Sequence, residues 1–214
     1  MNYRCLFAVL ALSLICGCAT GSKLRGSTPA EDAKQEQIPA KKSPKLEAER
    51  RLLGDGSEKI ILVEFTDFQC PACRMGHDNL AELKAKYKSQ IQFYIKHMPL
   101  DFHPHAYPAA LYFEAIRLQD KDKALQFAEY VFMNQKSMNG DAFLKTGAKK
   151  VGADMKRLAK DIQSDEIKKI IVADINEFNE FEFTGTPSMI LNGVPMVGVQ
   201  RLSTLEKVIQ TTGQ

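Results

Sequence analysis

Apolar residues follow two patterns along the chain, and the switches between them mark out its elements. Ile60 to Phe65 is an almost unbroken run of large apolar side chains, the pattern of a strand covered on both faces. Ala72, Gly76, Leu80, Leu83 and Tyr87 then recur at helical spacing. Ile91, Phe93 and Ile95 alternate with polar or amphipathic positions as a second strand, completing a βαβ unit that should be parallel and right-handed. A helical stretch follows. Its stripes are Ala106, Ala109, Ala110, Phe113 and Ile116; Leu125, Ala128, Val131 and Phe132; Phe143, Leu144, Ala148 and Val151; and a longer last one of Ile167, Ile170, Ile171, Ile175 and Phe178. Gly140, Gly147 and Gly152 fall near the expected breaks. Strand character returns at Ser188 to Leu191, turns at Asn192-Gly193, a strong hairpin signal, and resumes from Pro195 to Val199. A last helix is expected near Ser203, whose partner Glu206 makes a capping-box pattern. The sum is an α/β domain from roughly Leu46 to Gln214, with no internal repeat.

Chemistry concentrates at the first junction, Phe65-Thr66-Asp67-Phe68-Gln69-Cys70-Pro71-Ala72-Cys73, where the strand ends and the helix begins. Pro71 suits the first helical position, since its missing N–H has no intrahelical partner there. Cys70 is then the N-cap. Its sulfur faces the free N–H groups of Ala72 and Cys73 and the positive end of the helix dipole, which favour thiolate over thiol. Each unit of pKa depression is worth about 1.4 kcal/mol and makes the dithiol easier to reach, so a low value biases the pair towards oxidising others. Two cysteines at this spacing also suit a small staple or half a metal site.

The first residues bear on the compartment. Arg4 is a short basic region and Cys5 to Ile15 an apolar stretch too short to span a bilayer comfortably, so residues 1–17 read as a secretory signal. It ends in Ile15-Cys16-Gly17-Cys18, which resembles the bacterial lipobox and makes Cys18 the implied lipidation site; plain cleavage without lipid is the alternative. Residues 18–45 are rich in Lys, Ala, Ser, Pro, Glu and Gln and are expected to form a disordered tether reaching about 30 Å. Of five cysteines, Cys5 and Cys16 leave with the signal and Cys18 is acylated, leaving Cys70 and Cys73 as the only thiols. The loop they close is too small for an effective staple, which favours a redox role in an oxidising space. A net charge of +3 on 214 residues gives no reason to expect nucleic-acid binding.

The order βαβ, helical block, ββα resembles the thioredoxin-like fold in its DsbA-type variant, with the helical insertion at about 99–182. Three places carry the resemblance: the segment from Phe65 to Cys73; Pro99-Leu100 followed by His103-Pro104 and Ala109-Ala110; and Gly185-Thr186-Pro187-Ser188 leading into Asn192-Gly193. The resemblance implies that Cys70 is the nucleophile and Cys73 the resolving thiol. It implies a cis Thr186–Pro187 bond beside them, with Pro71, Ala72, Thr186 and Pro187 forming the substrate-facing surface. By base rate alone that bond would be trans.

Glu64 is the one carboxylate in an apolar strand. Buried, it would carry a raised pKa and could exchange protons with Cys73, a role the resemblance supports; by alternation it could instead face solvent. Asp67 reads as the cap of the turn before Cys70. His103 and His105 invite a metal reading, copper on Cys70 and Cys73 included, but a structural zinc site needs four well-spaced ligands, and His103-Pro104 reads as a helix start. No metal and no cofactor beyond the redox-active Cys70–Cys73 pair is expected.

These expectations add up to a membrane-tethered thiol:disulfide oxidoreductase acting outside the cytoplasm, on the periplasmic side in a cell with two membranes. Its partners would be cysteine-containing exported proteins, a membrane or soluble redox recycling protein, and the membrane itself through lipid on Cys18, with the chain a monomer. Oxidase is the first reading, reductase or isomerase the second, and a non-enzymatic lipoprotein or copper carrier the reading of another class. By the resemblance, the strongest oxidases carry a histidine where Ala72 stands, and Thr186 is common in members that reduce or isomerise, so an intermediate potential is expected.

Overall fold

The computed structural model describes residues 42–213, so the signal sequence, Cys18 and most of the expected tether lie outside the described residues. Its centre is a four-stranded sheet of order β2-β1-β3-β4. Strand β1 (Ile60–Thr66) pairs in parallel with β2 (Ile91–His97) and antiparallel with β3 (Ser188–Leu191), and β3 pairs antiparallel with β4 (Val194–Val197). Helix α1 (Pro71–Lys86) is the crossover between the two parallel strands. Pleating divides β1: Leu62 joins the core with Leu80 and Leu83 of α1, whereas Val63 and Phe65 pack on the opposite face with Phe178 and Phe183. The Asn192-Gly193 turn has positive φ at both residues, +48° and +77°, which explains that dipeptide in so tight a hairpin.

Five helices separate β2 from β3: α2 (Ala106–Arg117), α3 (Lys121–Met133), α4 (Asp141–Lys150), α5 (Met155–Asp161) and α6 (Asp165–Glu180). Helix α7 (Leu202–Thr212) closes the domain. The elements depart from the sequence pattern in several places. Helix α5 was not expected; it is one short segment capped by Asp154, whose side chain accepts from the N–H groups of Lys156 and Arg157. Gly147 lies inside α4 rather than at a break, because a Cβ there would stand 2.5 Å from the Tyr130 ring of α3. Strand β4 stops at Val197: the Gly198 N–H still donates in register to Pro187 O at 2.7 Å, but the proline has no N–H to return and Gly198 turns to φ +81°. The Ser203/Glu206 capping box is not formed: Arg201 is the N-cap of α7, and Glu206 pairs with Lys86 of α1.

A buried ionic network joins the segment before β1 to β2, α2 and α6. Arg50 donates to Asp174 at 2.5 and 2.7 Å and approaches Glu114 at 3.4 Å; Glu114 also meets His97 at 2.9 Å and Arg117 at 2.7 Å. Burial would raise the Glu114 pKa, but the His97 hydrogen bond and the Arg50 and Arg117 charges hold it down to about 2. Lys96 pairs with Glu177 at 2.5 Å, and both use the Lys45 peptide: Lys96 donates to its carbonyl at 2.7 Å and Glu177 accepts its N–H at 2.8 Å. Ordered packing thus begins just ahead of Leu46, inside the stretch expected to be tether. No helix among the described residues is long and apolar enough to cross a membrane.

Candidate active site

The turn between β1 and α1 is built on Asp67. Its Oδ1 accepts from the N–H groups of Gln69 (2.7 Å) and Cys70 (3.0 Å), the capping role expected of it. Its Oδ2 does more, accepting from the Leu100 N–H at 2.8 Å and lying 2.8 Å from His103 Nδ1. His103 therefore does not begin a helix. It stands in the turn ahead of α2, whose N-cap is His105, and ties that turn to the dithiol loop. Phe68 sinks into the core beside the rings of His97, Phe113 and Phe132, at centroid distances of 6.0, 5.4 and 5.3 Å. From the helical block, Gln135 donates to the carbonyls of Phe68 (3.0 Å) and Cys70 (2.9 Å), while Gln69 accepts from the His105 N–H at 2.7 Å. The loop is thus held by several hydrogen bonds from the inserted helices as well as by its own.

Cys70 is the N-cap of α1 and Pro71 occupies the first helical position. Both cysteines are free thiols. They are held very differently. The hydrogen bond from Cys73 is the largest influence on Cys70 and pulls its pKa down to about 5 against the cost of burial, with Thr186 and the N–H groups of Cys73 and Ala72 adding smaller contributions. The sulfur makes no full cap hydrogen bond to the helix end, so the partner thiol outweighs the helix N–H groups that the sequence reading put first. Cys73 is fully buried; burial and the Cys70 sulfur push its thiol far up, and the Asp67 N–H approaches its sulfur at 3.4 Å. The pair thus combines a thiolate near the surface with a protonated thiol beneath it.

The opposite wall is the loop before β3. Thr186–Pro187 is cis, and the Thr186 carbonyl lies 3.6 Å from Cys70 Sγ. Gly76 of α1 allows this approach, since a Cβ there would come within 3.1 Å of Pro187 Cγ. Pro71 is exposed and Ala72 and Thr186 are half-buried, so all three border the accessible side of Cys70, while Pro187 is buried behind them. Glu64 faces the α1 side of β1 and is fully buried, not solvent-facing. Burial raises its pKa although the charges of Lys84 and His77 and the nearby Thr66 hydroxyl oppose this, and neither of its oxygens makes a well-formed hydrogen bond among the described residues. His103 and His105 diverge, one to Asp67 and one to the start of α2. Among the described residues no three His, Cys, Asp or Glu side chains gather as metal ligands would.

Gln69, His103 and Gln135 were not assigned to the site from the sequence. Gln69 has a signal in its place inside the motif and His103 in the His103-Pro104 segment of the resemblance, whereas Gln135 has none. His103 and Gln135 reach the loop across 36 and 67 positions of chain.

A dithiol of this asymmetry at the start of a helix, in a thioredoxin-like sheet interrupted by a helical block, defines a thiol:disulfide oxidoreductase. A family model described as Thioredoxin matches residues 47–211, and the chain belongs to that family. Within the family its fold, with the helical block between β2 and β3, is DsbA-like. The chain is 32% identical over 150 residues to a Bacillus cereus protein named "Probable disulfide bond formation protein D", covering 66% of this chain and 69% of that one. It is also 25% identical over 154 residues to the Na(+)/H(+) antiporter NhaA 1 of Mycolicibacterium vanbaalenii, but this spans 71% of the present chain and only 24% of that longer protein. Among solved structures, the thiol-disulfide exchange protein alpha-DsbA2 from Wolbachia pipientis superposes with a TM-score of 0.66 at 22% identity, over 74% of this chain and 84% of that one, a likeness of fold.

Proposed function

We propose that the chain is an extracytoplasmic oxidase that passes the Cys70–Cys73 disulfide to cysteine-containing exported proteins. The observation that carries this reading is the split pair: Cys70 at the N-cap of α1, 8% exposed and with its pKa held down to about 5, over Cys73, fully buried and pushed far up. A low-pKa sulfur is a good leaving group and stabilises the reduced site, so electrons flow towards it. A substrate thiolate attacks Cys70 Sγ of the disulfide, Cys73 departs and takes a proton, and the substrate's second thiol displaces Cys70. Glu64 supplies that proton, and in the reverse direction accepts it when Cys73 attacks. An extended substrate lies along Thr186 and Pro187 with Pro71 and Ala72 beneath it. The sulfur pair itself is the redox group, with no other cofactor.

The Bacillus relative's name supports the oxidising direction. Ala72, which contributes no imidazolium to the thiolate, is the feature that favours a reductase or isomerase instead. The signal-like residues 1–17 and Cys18 support a lipid-anchored protein outside the cytoplasm; on this reading it acts as a monomer and is reoxidised by a membrane or soluble partner. A stoichiometric transfer assay tests the direction. Oxidised chain mixed with a reduced two-cysteine peptide is expected to yield peptide disulfide and reduced Cys70 and Cys73; net reduction of the disulfide peptide by the reduced chain, with no transfer from the oxidised chain, would reverse the assignment.

A further inference from the structure

Cys73 and Glu64 are both 0% exposed, so neither can trade a proton directly with bulk water. The exchange chemistry nevertheless requires one. In the oxidising direction two electrons pass from the substrate's two thiols to the site sulfurs, forming one substrate disulfide and breaking Cys70–Cys73. Of the two thiol protons released, Cys73 ends with one and the other stays in solvent, because Cys70 remains a thiolate at neutral pH. The substrate's protons are lost outside and the Cys73 proton is needed inside.

One side chain on the buried side of α1 reaches towards the surface. His77 follows Cys73 by a single helical turn, which puts the two on one side of α1. Its residue is 5% exposed, its ring packs on Phe132 at a 4.7 Å centroid distance, and its Nε2 lies 2.6 Å from Glu129 Oε2 of α3. The Glu129 side chain is 56% exposed. The other ring nitrogen, Nδ1, is buried without a hydrogen-bond partner, and both oxygens of Glu64 are buried with no well-formed hydrogen bond, the Thr66 hydroxyl two residues along the same side of β1 approaching them without good geometry. Buried polar atoms without protein partners are the kind that ordered water satisfies and that a proton route uses. The remaining charged group here, Lys84 of α1, holds its ammonium over the Phe93 ring, 4.3 Å from the centroid, and makes no ion pair with Glu64.

We propose that His77 and Glu129 form the proton outlet of the site, linking the buried Glu64–Cys73 region to solvent across the α1–α3 contact. The inference rests on the proton role given to Glu64 above. When Cys73 leaves as a thiolate, Glu64 gives it a proton and is reprotonated through His77, which draws on solvent at Glu129. When Cys73 attacks a mixed disulfide, the same proton runs outward: Cys73 to Glu64, Glu64 to His77, His77 to Glu129 and water. Imidazole suits the middle position because it has two nitrogens, one to receive a proton on one side and one to release it on the other.

The test follows decay of the Cys70–peptide mixed disulfide in the full chain, after mixing the reduced protein with a disulfide peptide. His77→Gln is expected to slow the decay about ten-fold and to enlarge its solvent deuterium isotope effect, leaving the equilibrium potential unchanged. Glu129→Gln, a change at an exposed side chain that spares the core, is expected to act in the same direction by about three-fold. Adding His77→Gln to Glu64→Gln should cost little more than Glu64→Gln alone, because both break one route. If Glu64→Gln slows decay while His77→Gln and Glu129→Gln do not, or if the His77 and Glu64 effects multiply, the outlet is wrong and the Glu64 role stands. If Glu64→Gln itself changes nothing, the Glu64 role falls and the outlet with it.

Discussion

Replacing Cys70 by serine is expected to end thiol–disulfide exchange, lowering the rate by more than about a thousandfold, whereas Cys73→Ser is expected to arrest it at a covalent adduct. The asymmetry follows from where the sulfurs lie. Cys70 Sγ stands beside the Thr186 carbonyl next to the cis proline, at the accessible edge of the loop, and is the sulfur held as a thiolate. Serine fills the space but is not ionised at neutral pH. Cys73 is sealed beneath and can reach only the Cys70 sulfur, so its loss leaves Cys70 able to attack a disulfide and nothing to release the product. Electrophoresis without reductant reads both results. Cys73→Ser should carry adducts that thiol reductant removes and Cys70→Ser should carry none; the opposite distribution would exchange the two roles.

The second large effect is on stability. Arg50→Ala is expected to cost about 3–5 kcal/mol, because it leaves the buried Asp174 and Glu114 carboxylates without the cation they share. For a domain of this size that lowers the melting temperature by on the order of 10 °C. The sign of the pH dependence is set by Glu114, whose pKa in the folded chain is depressed to about 2. Its contribution is present above the ordinary carboxylate range and is lost as pH falls towards 2, so the gap between wild type and variant should narrow in acid. A loss below about 1 kcal/mol at neutral pH would mean that the network contributes little.

The two predictions differ in how far the sequence foreshadowed them. The dithiol was legible because everything that defines it is local: the apolar run of β1, Pro71 at the first position of α1, and cysteines three positions apart. Asn192-Gly193 announced its hairpin for the same reason. The cis Thr186–Pro187 bond came from resemblance, since local energetics favour the trans form. The Arg50 network was not legible, because Arg50 finds Asp174 across 124 positions and Glu114 across 64, with no periodicity to betray the pairing. His103 failed similarly: beside a proline it suited a helix start, and only the fold brings Asp67 to it. Short-range rules misled where tertiary contact outweighed them, as at Gly147, which admits the Tyr130 ring, and at Glu206, which bonds to α1 instead of capping α7. The pKa difference between the cysteines was half legible. The helix end pointed to a low Cys70 value, but the stronger contribution of the Cys73 thiol needed the two side chains in place.

Equilibration of the Cys70–Cys73 pair with glutathione over a range of pH tests the central claim most directly. With Cys70 remaining a thiolate, reduction takes up one proton per two electrons above pH about 5, so the potential should fall by about 30 mV per pH unit there and about twice as steeply below. At neutral pH it should lie well above the roughly −270 mV of thioredoxin. A single two-electron transition with that value and that slope is the predicted result. A potential at or below −270 mV, falling by about 59 mV per pH unit through neutrality, would mean that Cys70 is an ordinary thiol and would contradict the account.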